Sequence, residues 1–422
     1  MGFALSLCSA VAVLLLPQTV VGHPNVDHQL RSSDLSWKLR PTHNTQQFRG
    51  LAPISSEIAW VSGTNGTVLR TCDGGTSWTD LSPPLSPENA TNFEFRDIQA
   101  WNSKHAVVLS IGEGNLSRIF ATHDGGNSWE ATFVNDEEEA FYDCMAFENK
   151  RHGLAMSDPV NGKFRLVETW DGGSSWAIVS DAGMAAALKG EFGFAASGTC
   201  IEAAAGRWYI ASGGVDPGRI FFSSDGHDWD VANSSIVGGE AAGVFSVRFR
   251  DAKHGIAVGG DYTKPNGTGD NAAWSQDGGR SWVKSKSFPS GYRSGVSWIH
   301  VEKQAAVAVG TSGSDVTFDG GKSWHTFDNG TFDAVECVDG ASTRTTSITL
   351  SPMAPSGQIF STWRPPTALS SSCHSSFVRS IPDTIAIIVT SNAALQNGQP
   401  ASGKTSSLIK STEYAGFMAS RI

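Results

Sequence analysis

The stretch Thr71-Cys72-Asp73-Gly74-Gly75-Thr76-Ser77-Trp78 decides the fold, because the chain repeats it. Related phrases occupy Thr122 to Trp129, Thr169 to Trp176, Ser223 to Trp229, Ser275 to Trp282 and Thr317 to Trp324. Their aspartates stand at Asp73, Asp124, Asp171, Asp225, Asp277 and Asp319, so the steps are 51, 47, 54, 52 and 42 residues. An Asp side chain bonds backbone amides two or more residues on, and glycine takes positive φ without a Cβ penalty, so Asp-Gly-Gly makes a tight turn between strands. The closing Trp brings a large apolar surface to bury. A period near 50 residues identifies a solenoid, a propeller or another array.

A second, weaker repeat lies roughly half a period upstream of each turn. An aromatic or small residue followed by a polar one opens a short apolar strand: Phe48-Arg49, Phe95-Arg96, Tyr142-Asp143, Ser197-Gly198, Phe245-Ser246, Tyr292-Arg293 and Phe332-Asp333. Later units add strands such as His254 to Gly259 and Ala305 to Gly310. Four strands per 50 residues is a propeller blade, and seven strand starts predict an all-β, seven-bladed β-propeller of four-stranded antiparallel blades. The seventh blade lacks its later strands, and Leu35 to Leu39 is placed to close it, with Trp37 equivalent to the turn tryptophans. Asp181 to Lys189 predicts either a short helix or a small-residue loop.

Domain boundaries follow from composition. Residues 1–22 hold an apolar run, Phe3 to Leu16, followed by small residues, and predict a secretory signal peptide. Residues 23–46 carry the closing strand, 47–340 the propeller, and 341–422 a Ser/Thr-rich, low-complexity tail, read either as a disordered segment or as an end that does not belong to the fold. The tail's one strand-like segment is Ile385 to Val389. No stretch reaches the ~20 apolar residues of a spanning helix. Six sequons, at Asn65, Asn89, Asn115, Asn233, Asn266 and Asn329, agree with a secreted, extracellular glycoprotein. The net charge of −10 without a basic cluster argues against nucleic acid as a partner.

Cys144 and Cys200 fall on inner strands of adjacent units and are the preferred disulfide; with Cys8 set aside, five cysteines remain, an odd number. No metal-ligand spacing and no nucleotide fingerprint are present, so neither a metal nor a cofactor is predicted. Gly321-Lys322-Ser323 belongs to the sixth turn, and Val316 stands where a phosphate-binding loop needs its first glycine.

The repeated S/T-x-D-G-G-x-S-W phrase resembles the Asp-box, or BNR, repeat of β-propellers. With Phe194 to Thr199, Gly259-Gly260-Asp261-Tyr262 and Gly291 to Gly295, the chain from Phe48 to Gly340 resembles the propeller family of photosystem II stability and assembly factors. It is similar above all to non-photosynthetic relatives sometimes labelled oxidoreductases. The resemblance implies the propeller fold, in a family whose photosynthetic members act as assembly chaperones; the turn aspartates are read as structural because every unit repeats them.

Function is therefore expected at the mouth of the central channel, where inner-strand residues and loops converge. The candidates are Arg49, Arg96, Tyr142, Asp143, Asp158, Asp261, Tyr262, Tyr292 and Arg293, with Asp333 beside them. Three arginines facing one funnel suit a carboxylate or other anion. Binding of a protein partner, or of an anionic or carbohydrate ligand, without turnover is the first reading; structural ion pairs with Asp143 and Asp333 are the plainer one. The alternative is a sialidase-like or β-glucan-active glycoside hydrolase, which also uses arginines or paired carboxylates on such a scaffold. Phe48-Arg49-Gly50-Leu51 departs from the Phe/Tyr-Arg-Ile-Pro motif of sialidases, which have six blades where seven are expected here.

Overall fold

A computed structural model describes residues 9–15, 31–299, 303–338 and 386–391. Six blades are each built from four consecutive antiparallel strands. Blade 1 comprises Phe48–Pro53, Ala59–Gly63, Thr67–Thr71 and Thr79–Asp80. Blade 2 comprises Glu94–Ala100, Ala106–Ile111, Arg118–Thr122 and Glu130–Val134. The inner strands of blades 3 to 6 are Tyr142–Phe147, Ile201–Ala204, Ala242–Phe249 and Gly295–Trp298.

The expectation of seven blades is corrected: the repeat makes six. The remaining sheet gathers strands from both ends of the chain, in the order Ala334–Val338, Ala386–Ser391, Ser9–Leu15 and Ser36–Asn44 from the inside outward. No further aspartate turn follows Asp319, so nothing local directs a seventh four-stranded meander, and the inner strand at Ala334 pairs with segments distant in sequence instead. The closing strand lies at Ser36–Asn44, where Trp37 packs on Phe327 and Phe332 and donates from Nε1 to Ser314 Oγ at 2.9 Å. Ser9–Leu15 comes from the segment expected to be a leader.

Each aspartate turn is a closed hydrogen-bond unit. In the first, the Ser77 amide and hydroxyl donate to the two Asp73 carboxylate oxygens at 2.9 and 2.6 Å, and the Gly75 amide donates to Thr71 Oγ1 at 2.8 Å. Gly74 and Gly75 take φ of 67° and 80°, which requires glycine. The shortened turn at Asp225 is satisfied by the amides of His227 and Asp228. Tryptophans seal neighbouring blades: Trp129 donates to the Leu81 carbonyl of the preceding blade at 2.8 Å and meets Trp60 edge-on. These turns occupy the lower face, opposite the start of the inner strands.

Cys144 and Cys200 form a disulfide across 56 residues, tying blade 3 to blade 4. Cys72 is also disulfide-bonded, and Cys337 is a buried free thiol. Between those blades, the segment expected as helix or loop is a single 3-10 turn, Asp181–Gly183, capped by Ser180; the following Met184 is buried in the core. Among the described residues no helix is long and apolar enough to cross a membrane.

Candidate functional site

A recurrent β-bulge builds the upper mouth of the channel. The inner strands of blades 1, 2, 3 and 5 slip register between Phe48 and Gly50, Phe95 and Asp97, Tyr142 and Cys144, and Val244 and Ser246. The extra residues, Arg49, Arg96, Asp143 and Phe245, are thereby equivalent. A bulge re-aims the side chain that it leaves outside the ladder. The blade 5 member is Phe245 rather than the Ser246 of the sequence register.

Arg293 is not a member of this set. Gly63, Gly259 and Gly310 press against the carbonyls of Gln47, Gly243 and Tyr292, so the residues that follow those carbonyls, Phe48, Val244 and Arg293, occupy one equivalent position. That position points into the blade. Arg293 is accordingly buried, its Nε donating to Asp315 at 2.6 Å and its other nitrogens to the Tyr292 carbonyl, Ser312 and Ser290. Burial lowers its pKa against the pull of Asp315. The expected triad of funnel arginines is corrected on this ground.

The other two arginines are also paired. Arg96 holds Glu94 through Nε at 2.8 Å and donates to the Ala195 carbonyl at 3.2 Å. Arg49, about a quarter exposed, lies 3.7 Å from Asp333. Tyr142 is buried on Phe133, and desolvation drives its phenol far above the usual range, as it does for Tyr292. Asp143 is buried; Asp158 accepts the Gly193 amide at 2.8 Å. Asp261 accepts from Thr263 and Lys264, and although burial works to raise its carboxyl, these bonds hold it below the usual range.

What the mouth does assemble is an aromatic shelf. Phe194 stacks on Phe245 at 3.7 Å, Tyr292 meets Phe245 edge-on at 4.7 Å, and Phe192 and the half-buried Tyr262 flank Phe194 at 5.0 and 6.4 Å. The Tyr292 phenol lies in electrostatic reach of Arg49, Asp333 and Tyr262, which places the charged pair beside the shelf.

Ser197-Gly198 does not open the inner strand of blade 4, which starts at Ile201. The segment instead plugs the channel. The Ser197 hydroxyl donates to the Ser294 carbonyl at 2.7 Å, Thr199 donates to Ser246 at 2.7 Å, and Gly198, at φ 71°, lies against the Asp97 carboxylate where a Cβ would come within 2.5 Å. Beneath the plug a cavity of about 200 Å³ runs down the channel, lined by Asp97, Gln99, Thr199, Arg248, Glu336 and Cys337.

That lower cavity was not foreseen. Asp97 accepts the Met145 amide at 2.7 Å, and Arg248 donates to Glu202 at 3.1 Å while also pairing with Glu336. Desolvation lifts the carboxyls of Asp97 and Glu202 to about 7 each, against the opposing pull of Arg248. Charged residues at Asp97, Glu202, Arg248 and Glu336 on inner strands were the available signal. Among the described residues no group of His, Cys, Asp and Glu is arranged to hold a metal ion.

No protein-family model and no curated protein matches this sequence. Solved propellers do match in structure. YCF48 bound to D1 peptide is 13% identical with a TM-score of 0.47, over 68% of this chain and 83% of that one. YCF48 from Cyanidioschyzon merolae is 18% identical with a TM-score of 0.46, over 67% and 85%. The GH74 enzyme of Niastella koreensis is 15% identical with a TM-score of 0.34, over 72% of this chain and 53% of that enzyme. The chain is a β-propeller similar in architecture to these. Its functional reading rests on its own residues.

Proposed function

We propose that this chain is an exported, non-enzymatic binding module that holds a short segment of a protein partner at the upper mouth. The observation that carries this reading is the pair of partly exposed rings Phe192 and Tyr262, backed by the buried cluster of Phe194, Phe245 and Tyr292, beside the partly exposed Arg49. Aromatic side chains supply contact area at little entropic cost, and the partly exposed guanidinium of the Arg49–Asp333 pair adds a positive edge that attracts a carboxylate. The ligand chemistry is therefore an apolar or aromatic residue next to an acidic one. Catalysis is not favoured: Tyr142 and Tyr292 are buried with phenols shifted away from the ionised nucleophile, and Asp261 is tied to Lys264.

Export is part of the same reading. Cleavage after Gly22 would remove Ser9–Leu15, so a cleaved leader and a complete closing sheet exclude one another.

Selection of a displayed random-peptide library on the full chain tests the mouth. Peptides pairing an aromatic with an acidic residue should be enriched, and Arg49→Ala and Tyr262→Ala should each weaken capture about tenfold, the effect of a lost contact near 1.4 kcal/mol. Capture that survives both substitutions, or turnover of sialosides or β-glucans by the same preparation, would overturn the reading.

A further inference from the structure

The six sequons share one face of the ring, which their sequence spacing gives no reason to expect. Asn65 sits in the turn between the second and third strands of blade 1, as Asn115 does in blade 2 and Asn266 in blade 5. Asn89, Asn233 and Asn329 lie where an outer strand ends or leads toward the next inner strand. In a four-stranded meander both kinds of connection fall on the side where inner strands begin, the side of the mouth. The lower-face connections, first to second strand and third to fourth, carry the aspartate turns and no sequon at all.

Local contacts agree with this placement. The Gly66 amide beside Asn65 donates to the Phe93 carbonyl just ahead of the next inner strand, and the Ser117 hydroxyl of the Asn115 sequon accepts from the Tyr142 amide. The Pro265 carbonyl beside Asn266 accepts from the Tyr292 amide. All six asparagines are exposed. Asn65 is a surface turn residue with φ of 56°, its side-chain nitrogen donating to Gln46 Oε1 at 2.9 Å.

The distribution around the rim is uneven too. Between Asn115 and Asn233 no sequon occurs, so the upper edges of blade 3 and most of blade 4 are bare. Asp158, Leu188 and Phe192 lie along this sector, at the open side of the aromatic shelf.

We propose that the upper face carries a collar of N-linked oligosaccharides at these six asparagines, open over blades 3 and 4, and that a partner reaches the mouth through the gap while the lower face stays bare. The inference rests on the export reading and deepens the binding one. In each modification the asparagine Nδ2 loses one proton and bonds to the anomeric carbon of a lipid-linked oligosaccharide, whose lipid pyrophosphate departs.

The full chain, expressed in a glycosylating eukaryotic secretory host, decides this. Enzymatic release of glycans in H₂¹⁸O should leave labelled aspartate at all six positions. Secreted chain with unlabelled sequons overturns the collar and leaves export standing; intracellular, unmodified chain overturns both. Lys163→Thr creates a sequon at the exposed Asn161 in the gap, and Lys104→Thr creates one at Asn102 on the lower face. With both new sites occupied, the first should weaken capture of the selected aromatic-acidic peptides at least tenfold and the second should leave it unchanged. Equal effects of the two variants, or no library capture to weaken, would overturn entry through the gap whatever the mapping shows.

Discussion

Arg293 and Asp315 form a buried ion pair behind the mouth, with Nε 2.6 Å from the carboxylate and both side chains out of solvent. Its partners are all internal: Tyr292, Ser290 and Ser312 take the remaining guanidinium donors. Removing either member leaves the other as an uncompensated buried charge. Arg293→Ala and Asp315→Ala should each cost about 3 to 5 kcal/mol, read as a lower denaturant midpoint. A soluble Arg293→Ala chain with wild-type stability would contradict the burial.

The Cys144–Cys200 bridge closes a 56-residue separation between adjacent blades. Replacing both cysteines by alanine should lower stability by about 2 to 4 kcal/mol, measured by chemical unfolding without reductant. Reductant should have the same sense of effect on the native chain, and in the variant a smaller effect confined to the remaining Cys72 bridge.

The lower channel sets a pH dependence. Asp97 and Glu202 have folded pKa values of about 7, raised by burial above the ordinary carboxylate range. A raised carboxyl binds its proton more tightly in the folded state, so its contribution is fully present below the unfolded pKa of about 4 and is lost as pH rises to about 7. The turn aspartates have the opposite sign: bonds such as those from Ser77 hold Asp73 below its usual value despite burial, and that stability is lost as pH falls through the folded pKa. Unfolding midpoints should therefore be highest at mildly acidic pH and decline toward pH 8. Glu202→Gln should flatten the decline.

Asp277 accepts the Ser281 amide at 3.0 Å and its hydroxyl at 2.5 Å, as its equivalents do in the other full-length turns. Asp277→Ala should cost about 1 to 2 kcal/mol of stability and leave peptide capture unchanged once the protein is folded. Lost capture in a stable variant would assign the turn a direct role.

Ala386–Ser391 pairs with the inner strand Ala334–Val338, although it follows a long Ser/Thr-rich stretch. A chain ended at Gly340 loses that pairing and should melt lower than the full chain and expose the Cys337 thiol to alkylation. Equal melting of the two forms would show that the composite sheet contributes no stability.

The propeller was legible in the sequence because Asp-Gly-Gly turns and tryptophans act locally. Each turn is satisfied by residues within four positions of its aspartate, so the phrase carries its own structure and its spacing reports the blades. Cys144 and Cys200 could be paired on the same logic, once their strands were placed in adjacent units. The blade count failed where that local signal ends, after Asp319, since nothing in Ala334–Val338 encodes which distant strands will cover it.

The mouth was legible only in part. A bulge adds one residue to a strand, and one residue reverses which side of the sheet a side chain faces. Arg49, Arg96 and Asp143 survive that shift as equivalent positions, whereas Arg293 falls on the inward set with Phe48 and Val244. By itself, then, the sequence determined the repeat, the strand-turn chemistry, the disulfide and the six sequons. Tertiary structure alone decided that Arg293 is buried, that Ser197 to Thr199 plug the channel above Asp97 and Arg248, and that all six sequons meet on one face, because register slips and ring closure join residues that no local pattern connects.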